Sequence, residues 1–148
     1  MKHLMDLGIM CLCLLLLNGC TFTPPITVKL KSAEILNLDS ENISLPVIVR
    51  IYQLSDSDKF EQSNFVDLWK KETECFGGHL LARKELTIPP SSETKIKLDR
   101  NEKAKYLAII ATFRNPEGNH WRALKKISVG ILPRTVNGWL KGNILEIK

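Results

Sequence analysis

The sequence predicts an all-β domain with a small helical addition, built as an antiparallel β-sandwich. Three observations carry this reading. Short stretches alternate apolar and polar residues at period two, as in Ile26-Thr27-Val28-Lys29-Leu30-Lys31 and Thr94-Lys95-Ile96-Lys97-Leu98, the pattern of a strand with one buried face. Tyr106-Leu107-Ala108-Ile109-Ile110-Ala111-Thr112-Phe113-Arg114 is nearly continuous in apolar residues, as befits a central strand covered on both faces. Around 56–76 the spacing turns helical, with Phe65, Leu68 and Trp69 at i, i+3 and i+4, which makes one apolar stripe. Short strands at regular spacing with one helical insertion point to a sandwich.

The start of the chain sets its compartment. Lys2 and His3 precede an apolar run of about eleven residues, Leu7 to Leu17, which falls well short of the roughly 20 that span a bilayer core. Leu17-Asn18-Gly19-Cys20 closes the run, and Thr21 to Pro25 are no longer membrane-like. A basic start, a short apolar core and a small residue before the cut make a secretory signal. The cysteine directly after it makes residues 1–19 look like a bacterial lipoprotein signal, which is removed to leave Cys20 as a lipidated first residue; Asn18 departs from the usual small residue of that motif. His3, Cys11 and Cys13 then belong to the discarded peptide. Residues 20–25 read as a lipidated tether, extended because Pro24 and Pro25 fix φ and push their predecessors out of helix. Residues 26–148 form the sandwich domain, long enough for a single core.

Composition excludes more than it assigns. The chain carries 21 Lys and Arg against 16 Asp and Glu, and removal of residues 1–19 takes away Lys2 and Asp6, so the net charge stays at +5. The cations are spread, with short clusters at Lys70-Lys71 and Lys125-Lys126; without a motif, nucleic-acid binding has no support. A mildly basic face suits an anionic membrane surface or an acidic partner. Only Cys20 and Cys75 lie beyond the signal, and with Cys20 carrying lipid no intrachain disulfide remains. Cys75 reads as a small buried hydrophobe, with an intermolecular disulfide as the alternative.

Between the first strand and the next lies Glu34 to Ser44, whose Asn, Asp and Ser favour turns and whose leucines and isoleucines sit oddly in a surface loop. Either they tuck onto the core or some are exposed for a partner. Leu45 to Leu54 is rich in β-branched residues, with Leu45, Val47, Val49 and Ile51 on one face and a partly covered face of Ile48, Arg50 and Tyr52. Asp56-Ser57-Asp58 breaks the strand and supplies an N-cap, and Gly77-Gly78 stops the helical section. Leu80 and Leu81 lead into Lys84-Glu85-Leu86-Thr87-Ile88, Pro89-Pro90-Ser91-Ser92 turns, and Thr94 to Leu98 follows as the partner strand in a hairpin or corner. Asp99 to Lys103 is a charged turn, and Asn115 to Asn119 another. His120 to Leu124 and Ile127 to Ile131 are extended, Asn137-Gly138 is a hairpin dipeptide, and Ile144 to Ile147 is the last strand.

No chemical site emerges. Cys75 and His79 stand at i, i+4, but Gly77-Gly78 between them argues against a shared helical face. His120 has no carboxylate at ligand spacing, Asp56 and Asp58 are explained by capping, and Ser91 and Ser92 lack a base. Gly77-Gly78 lacks the longer phosphate-loop pattern. The sequon Asn42-Ile43-Ser44 is too common to carry weight. No catalytic residue, metal or cofactor is expected beyond the covalent lipid on Cys20.

In order, a strand ending Tyr52-Gln53-Leu54, the Phe60, Phe65, Leu68-Trp69 stretch, a strand ending Phe113-Arg114 and the pair Trp121-Arg122 resemble the outer-membrane lipoprotein of type VI secretion systems, the TssJ (SciN, VasD) family. Cys75 to Leu81 fits the family pattern only loosely, and little of it is visible after Arg122. The resemblance implies a transthyretin-like β-sandwich that is not an enzyme, tethered through Cys20 to the inner leaflet of the outer membrane and facing the periplasm. It implies as partner the periplasmic C-terminal domain of the inner-membrane TssM (IcmF-like) protein. The family's contact loop maps onto Glu34 to Ser44, which assigns partner binding to Leu36, Asn37, Leu38, Asp39, Ser40 and Glu41, with Leu36 and Leu38 exposed. Thr21, where an Asp would often retain a lipoprotein at the inner membrane, agrees with the outer-membrane address. The alternative is an unrelated transthyretin-like periplasmic lipoprotein that binds a small ligand or a protein client.

Overall fold

In the computed structural model, which describes residues 23–116, 118–127 and 134–148, eight strands and three short helices form the regular structure. They run β1 (Ile26–Leu36), β2 (Val47–Leu54), α1 (Asp58–Gln62), α2 (Phe65–Lys70), α3 (Glu72–Phe76), a 3-10 turn (Gly77–His79), β3 (Leu80–Ile88), β4 (Glu93–Leu98), β5 (Tyr106–Ala111), β6 (Arg122–Lys126), β7 (Arg134–Gly142) and β8 (Ile144–Ile147). The expected signal segment, Cys20, Thr21 and the expected extension beyond Ile127 fall outside the described residues.

The strands make two sheets, ordered β4-β1-β7-β8 and β3-β2-β5-β6. Every ladder is antiparallel except one: β1 runs parallel to β7, with Val28 beside Val136 and Leu30 beside Gly138. The sandwich is the expected one, antiparallel in all its other ladders, and β7 joins β1 in parallel because it enters the first sheet from the second by a crossover, as parallel neighbours require. Ile26, Val28 and Leu30 of β1 meet Val49, Ile51, Leu107 and Ile109 of the other sheet in one continuous core. Each large apolar side chain so buried contributes about 1.5–3 kcal/mol.

Four local expectations are resolved or corrected. Thr94 to Leu98 turns the corner into the other sheet and pairs with β1, not with β3. Leu45 and Pro46 precede the strand instead of opening it. The face of β2 bearing Arg50 and Tyr52 is buried under the helices, since both side chains find polar partners there. Asn137-Gly138 is no turn: both residues lie inside β7, and the chain reverses at Gly142, whose φ is +57°. Gly138 is required by close approach, because a Cβ there would lie 2.6 Å from Leu30 Cδ2.

Gly138→Ala therefore drives a methyl into a fully buried leucine. We expect it to lower the unfolding free energy by about 1–3 kcal/mol, read from the urea midpoint, with Leu30→Ala in the same chain relieving the clash so that the two effects are not additive.

Candidate partner-binding loop

Between β1 and β2 the chain makes a loop, residues 37–46, that holds its own shape. Asn37 opens it in the left-handed region at φ 47°, a conformation asparagine tolerates better than most residues. Its side chain is buried and joins three segments: Nδ2 donates to Pro46 O at 2.9 Å, and Oδ1 accepts from Arg114 N at 2.8 Å. Its backbone N donates to Gly142 O at 2.9 Å, and Leu45 N donates to Leu36 O at 3.0 Å, closing the base. At the tip, Asp39 Oδ1 accepts from Glu41 N and Ile43 N, both at 2.9 Å. This is the local carboxylate-to-backbone bonding that favours Asp in turns.

These bonds sort the six candidate residues. Leu36 is fully buried and ends β1, so the expected exposure of its side chain is corrected: the sheet extends five residues past Lys31, and Leu36 joins the core. Asn37 is likewise buried, as the hinge of the loop. Leu38 and Asp39 are half-buried, and Ser40 and Glu41 are exposed. Leu38, Asp39 and Ser40 line a shallow cleft with Arg114 and Asn115. Sequence reasoning missed the apolar groups that do face solvent here, Ile43 at 53% exposure and Ile35 at 58%. The signal for Ile35 was its parity, opposite to the inward-facing residues of β1.

The loop shares its end of the sandwich with the 89–92 turn and the Gly142 reversal; the segment leading from Thr23 enters at the other end. Eleven residues of β1 separate the two ends, about 35 Å at the rise of an extended strand. Ser32 pins the near turn: its hydroxyl donates to Pro89 O at 2.6 Å and accepts from Ser92 N at 2.9 Å. Ser92 is thus a structural residue. Asp56 also serves structure, accepting from Asp58 N at 2.9 Å, and His79 Nδ1 pairs with Ser55 Oγ at 3.0 Å, away from Cys75. Cys75 is half-buried against the core and unpaired among the described residues. Among the described residues no group of three or more His, Cys, Asp and Glu is placed to hold a metal ion.

The polar residues that stand out in the sequence fasten the helices to the sheet. Arg50 Nε donates to Glu85 Oε2 at 2.6 Å and Nη1 to Trp69 O at 2.8 Å, with the guanidinium 3.7 Å over the Trp69 ring. Glu72 accepts from Tyr52 OH at 2.6 Å and from Arg83 Nε at 2.6 Å. Burial alone would pull the Arg50 pKa down; the hydrogen bond to Glu85, then contacts with Tyr52 and Glu72, hold it above the ordinary arginine value. Burial, helped by Glu72, pushes the Tyr52 hydroxyl well up, so it stays a donor. The hydrogen bond from Arg50, offset in part by burial, holds the Glu85 carboxyl below the usual range. Arg122 plays the same part at α1, donating to Phe60 O at 2.7 Å, Ser63 O at 2.8 Å and Glu61 O at 3.0 Å. It thereby satisfies carbonyls that a helix end leaves open.

Comparison with known proteins follows the same lines. The family model described as Type VI secretion lipoprotein, VasD, EvfM, TssJ matches residues 24–130. The T6SS lipoprotein TssJ1 from Pseudomonas aeruginosa superposes with a TM-score of 0.78 at 21% identity, over 84% of this chain and 95% of that one. A chain of a structure described as a type VI membrane complex gives 0.78 at 23%, over 86% and 99%. A chain of the structure described as the T6SS protein TssM C-terminal domain (869-1107) from EAEC gives 0.73 at 24%, over 85% and 98%. At these identities the likeness is one of fold. No curated protein matches the sequence.

Two expected outcomes test the geometry. Asn37→Ala leaves Pro46 O and Arg114 N without partners and should cost about 2–4 kcal/mol in chemical unfolding. For Glu85, a depressed carboxylate contributes stability that is full above its unfolded value near 4.3 and is lost as pH falls through the lower folded value. Glu85→Gln should therefore be less stable than the parent at pH 7, by under about 1 kcal/mol because the group is exposed, and the gap should close in acid.

Proposed function

The chain belongs to the type VI secretion lipoprotein family, a family of structural components and not of enzymes, and from that premise we propose that it fixes the secretion assembly to the outer membrane. Acylated Cys20 inserts into the inner leaflet of that membrane, and the 37–46 loop binds the periplasmic C-terminal domain of the TssM (IcmF-like) protein reaching across from the inner membrane. The observation that carries this reading is the placement of a self-supporting loop with exposed Glu41 and Ile43 at the end of the sandwich away from the tether. The likeness to a chain in a structure described by TssM's C-terminal domain supports the choice of partner.

The mechanism is passive. Several acyl chains hold a protein far better than the marginal grip of one, and the sandwich is a rigid spacer between that anchor and the loop. Because the loop is closed by its own hydrogen bonds, it meets the partner with little ordering cost, which favours affinity. Leu38, Ser40, Glu41 and Ile43 supply the contact; Leu36, Asn37 and Asp39 hold the backbone beneath them.

Cys20→Ser should yield a folded protein that no longer fractionates with outer membrane; full sedimentation of that variant with outer membrane refutes the anchor. Replacing Leu38, Glu41 and Ile43 together by Ser should weaken binding to the purified TssM periplasmic domain at least about tenfold while the unfolding midpoint stays nearly unchanged, and undiminished affinity removes the loop from the interface.

A further inference from the structure

The end of the sandwich from which the tether leaves is a basic rim, and we infer that this rim is a second, electrostatic membrane contact, taken by anionic lipid headgroups. The inference rests on the reading of Cys20 as the lipid anchor. Pro24 is buried on the domain and Thr23 Oγ1 donates to Arg100 O at 3.3 Å, so the chain is fixed to this end from residue 23 onward. From Cys20 to Thr23 the backbone reaches roughly 10 Å at most. The end of the domain is therefore kept to a distance comparable to the Debye length, ~8 Å at physiological salt, from the headgroup layer.

At that end stand Arg100, Lys103, Lys105, Lys125, Lys126 and Arg134, against Asp56, Asp99 and Glu102. The loop end has the opposite balance, with Asp39 and Glu41 against Arg114. The net positive charge of the protein is thus concentrated where an anionic surface would lie. The backbone that carries these cations is also held in place. Gln53 bridges the segment, donating to Asp99 O at 2.8 Å and accepting from Asn101 N at 2.8 Å. Lys105 N donates to Leu54 O at 2.9 Å, and Ile127 N to Lys105 O at 2.7 Å. The ion pairs around Arg50 involve none of these cations. Arg100 Nε, shielded from solvent beside the tether, has no acceptor among the described residues. Lys103, Lys105, Lys126 and Arg134 are exposed, and exposed cations next to a surface of opposite charge gain from it. Polybasic segments gain about fivefold in affinity per cation near an anionic leaflet.

The test uses the full chain, in flotation with vesicles of phosphatidylethanolamine alone or with about a third phosphatidylglycerol. The acyl chains contribute alike to both, and the basic start at Lys2 and His3 is common to every variant, so the difference between variants isolates the rim. The parent should prefer anionic vesicles by at least about tenfold at ~0.1 M salt and lose the preference near 0.5 M. Lys103→Ser, Lys105→Ser, Lys126→Ser and Arg134→Ser combined should abolish the preference. The same change in net charge made elsewhere, at exposed Lys31, Lys70, Lys95 and Lys141, should leave it largely intact, with thermal unfolding confirming that both variants fold. Equal affinity of the parent for the two vesicles, or equal loss in the two variants, overturns the rim as a membrane contact and leaves its charge to an acidic protein partner. Cys20→Ser should keep the anionic preference, so failure of the anchor and failure of the rim are read separately.

Discussion

A guanidinium on the outer face of β2 obliges the rest of the second sheet to be covered. Arg50 is 9% exposed, and a buried charge is tolerated only with partners that replace its water. Those partners come from α2, α3 and β3: Trp69 through its ring and carbonyl, Glu72, and Glu85. Each helix is only five or six residues long, too short to persist alone. They exist because the sheet holds them, through Arg50 and Tyr52 at one side and Arg122 at the other. Phe76 against Tyr52, at 5.2 Å between ring centroids, and Phe65 edge-on to Trp121, at 5.1 Å, fill the apolar space between those polar fasteners.

The residues that single out the family in sequence are therefore residues of the scaffold and not of the 37–46 loop. Tyr52, Gln53 and Arg122 fasten a helical layer and a loop to a sheet; Trp121 donates its Nε1–H to Gly118 O at 2.9 Å and packs on Phe65. They specify the scaffold. The loop that the scaffold presents needs only a hinge, Asn37, and a cap, Asp39, and its outward side chains are free to differ without disturbing the fold.

Much of the architecture was legible in the residues. Alternation located β1, β4 and β8, and unbroken apolar character located β5 as a strand with neighbours on both sides. What misled was context. Arg50 and Tyr52 look like a wet face because sequence cannot show helices returning over it. Gly138 after Asn137 looks like a turn because a glycine needed for close approach has the same letter as one needed for positive φ. Glu34, in the inward parity of Ile26 and Leu30, argues in sequence against extending β1; the ladder irregularity between Ser32 and Leu36 lets the strand continue with Glu34 turned out and Leu36 in. Leu36 keeps the inward parity of Ile26 and Leu30 beyond the irregularity and joins the core, and Ile35, of opposite parity, stays outside. The expected acylation of Cys20 is read from the sequence pattern around it, which no feature of the sandwich encodes.

The parallel pairing of β1 with β7 has a mechanical consequence. It places β1 in the interior of its sheet, bonded along one edge to β4 and along the other to β7. The two ends of this strand adjoin the tether and the loop. A pull between them runs along the strand axis, across hydrogen bonds that lie roughly perpendicular to it. Such a load shears both ladders at once instead of peeling bonds one after another, the stronger of the two geometries a sheet can offer to force.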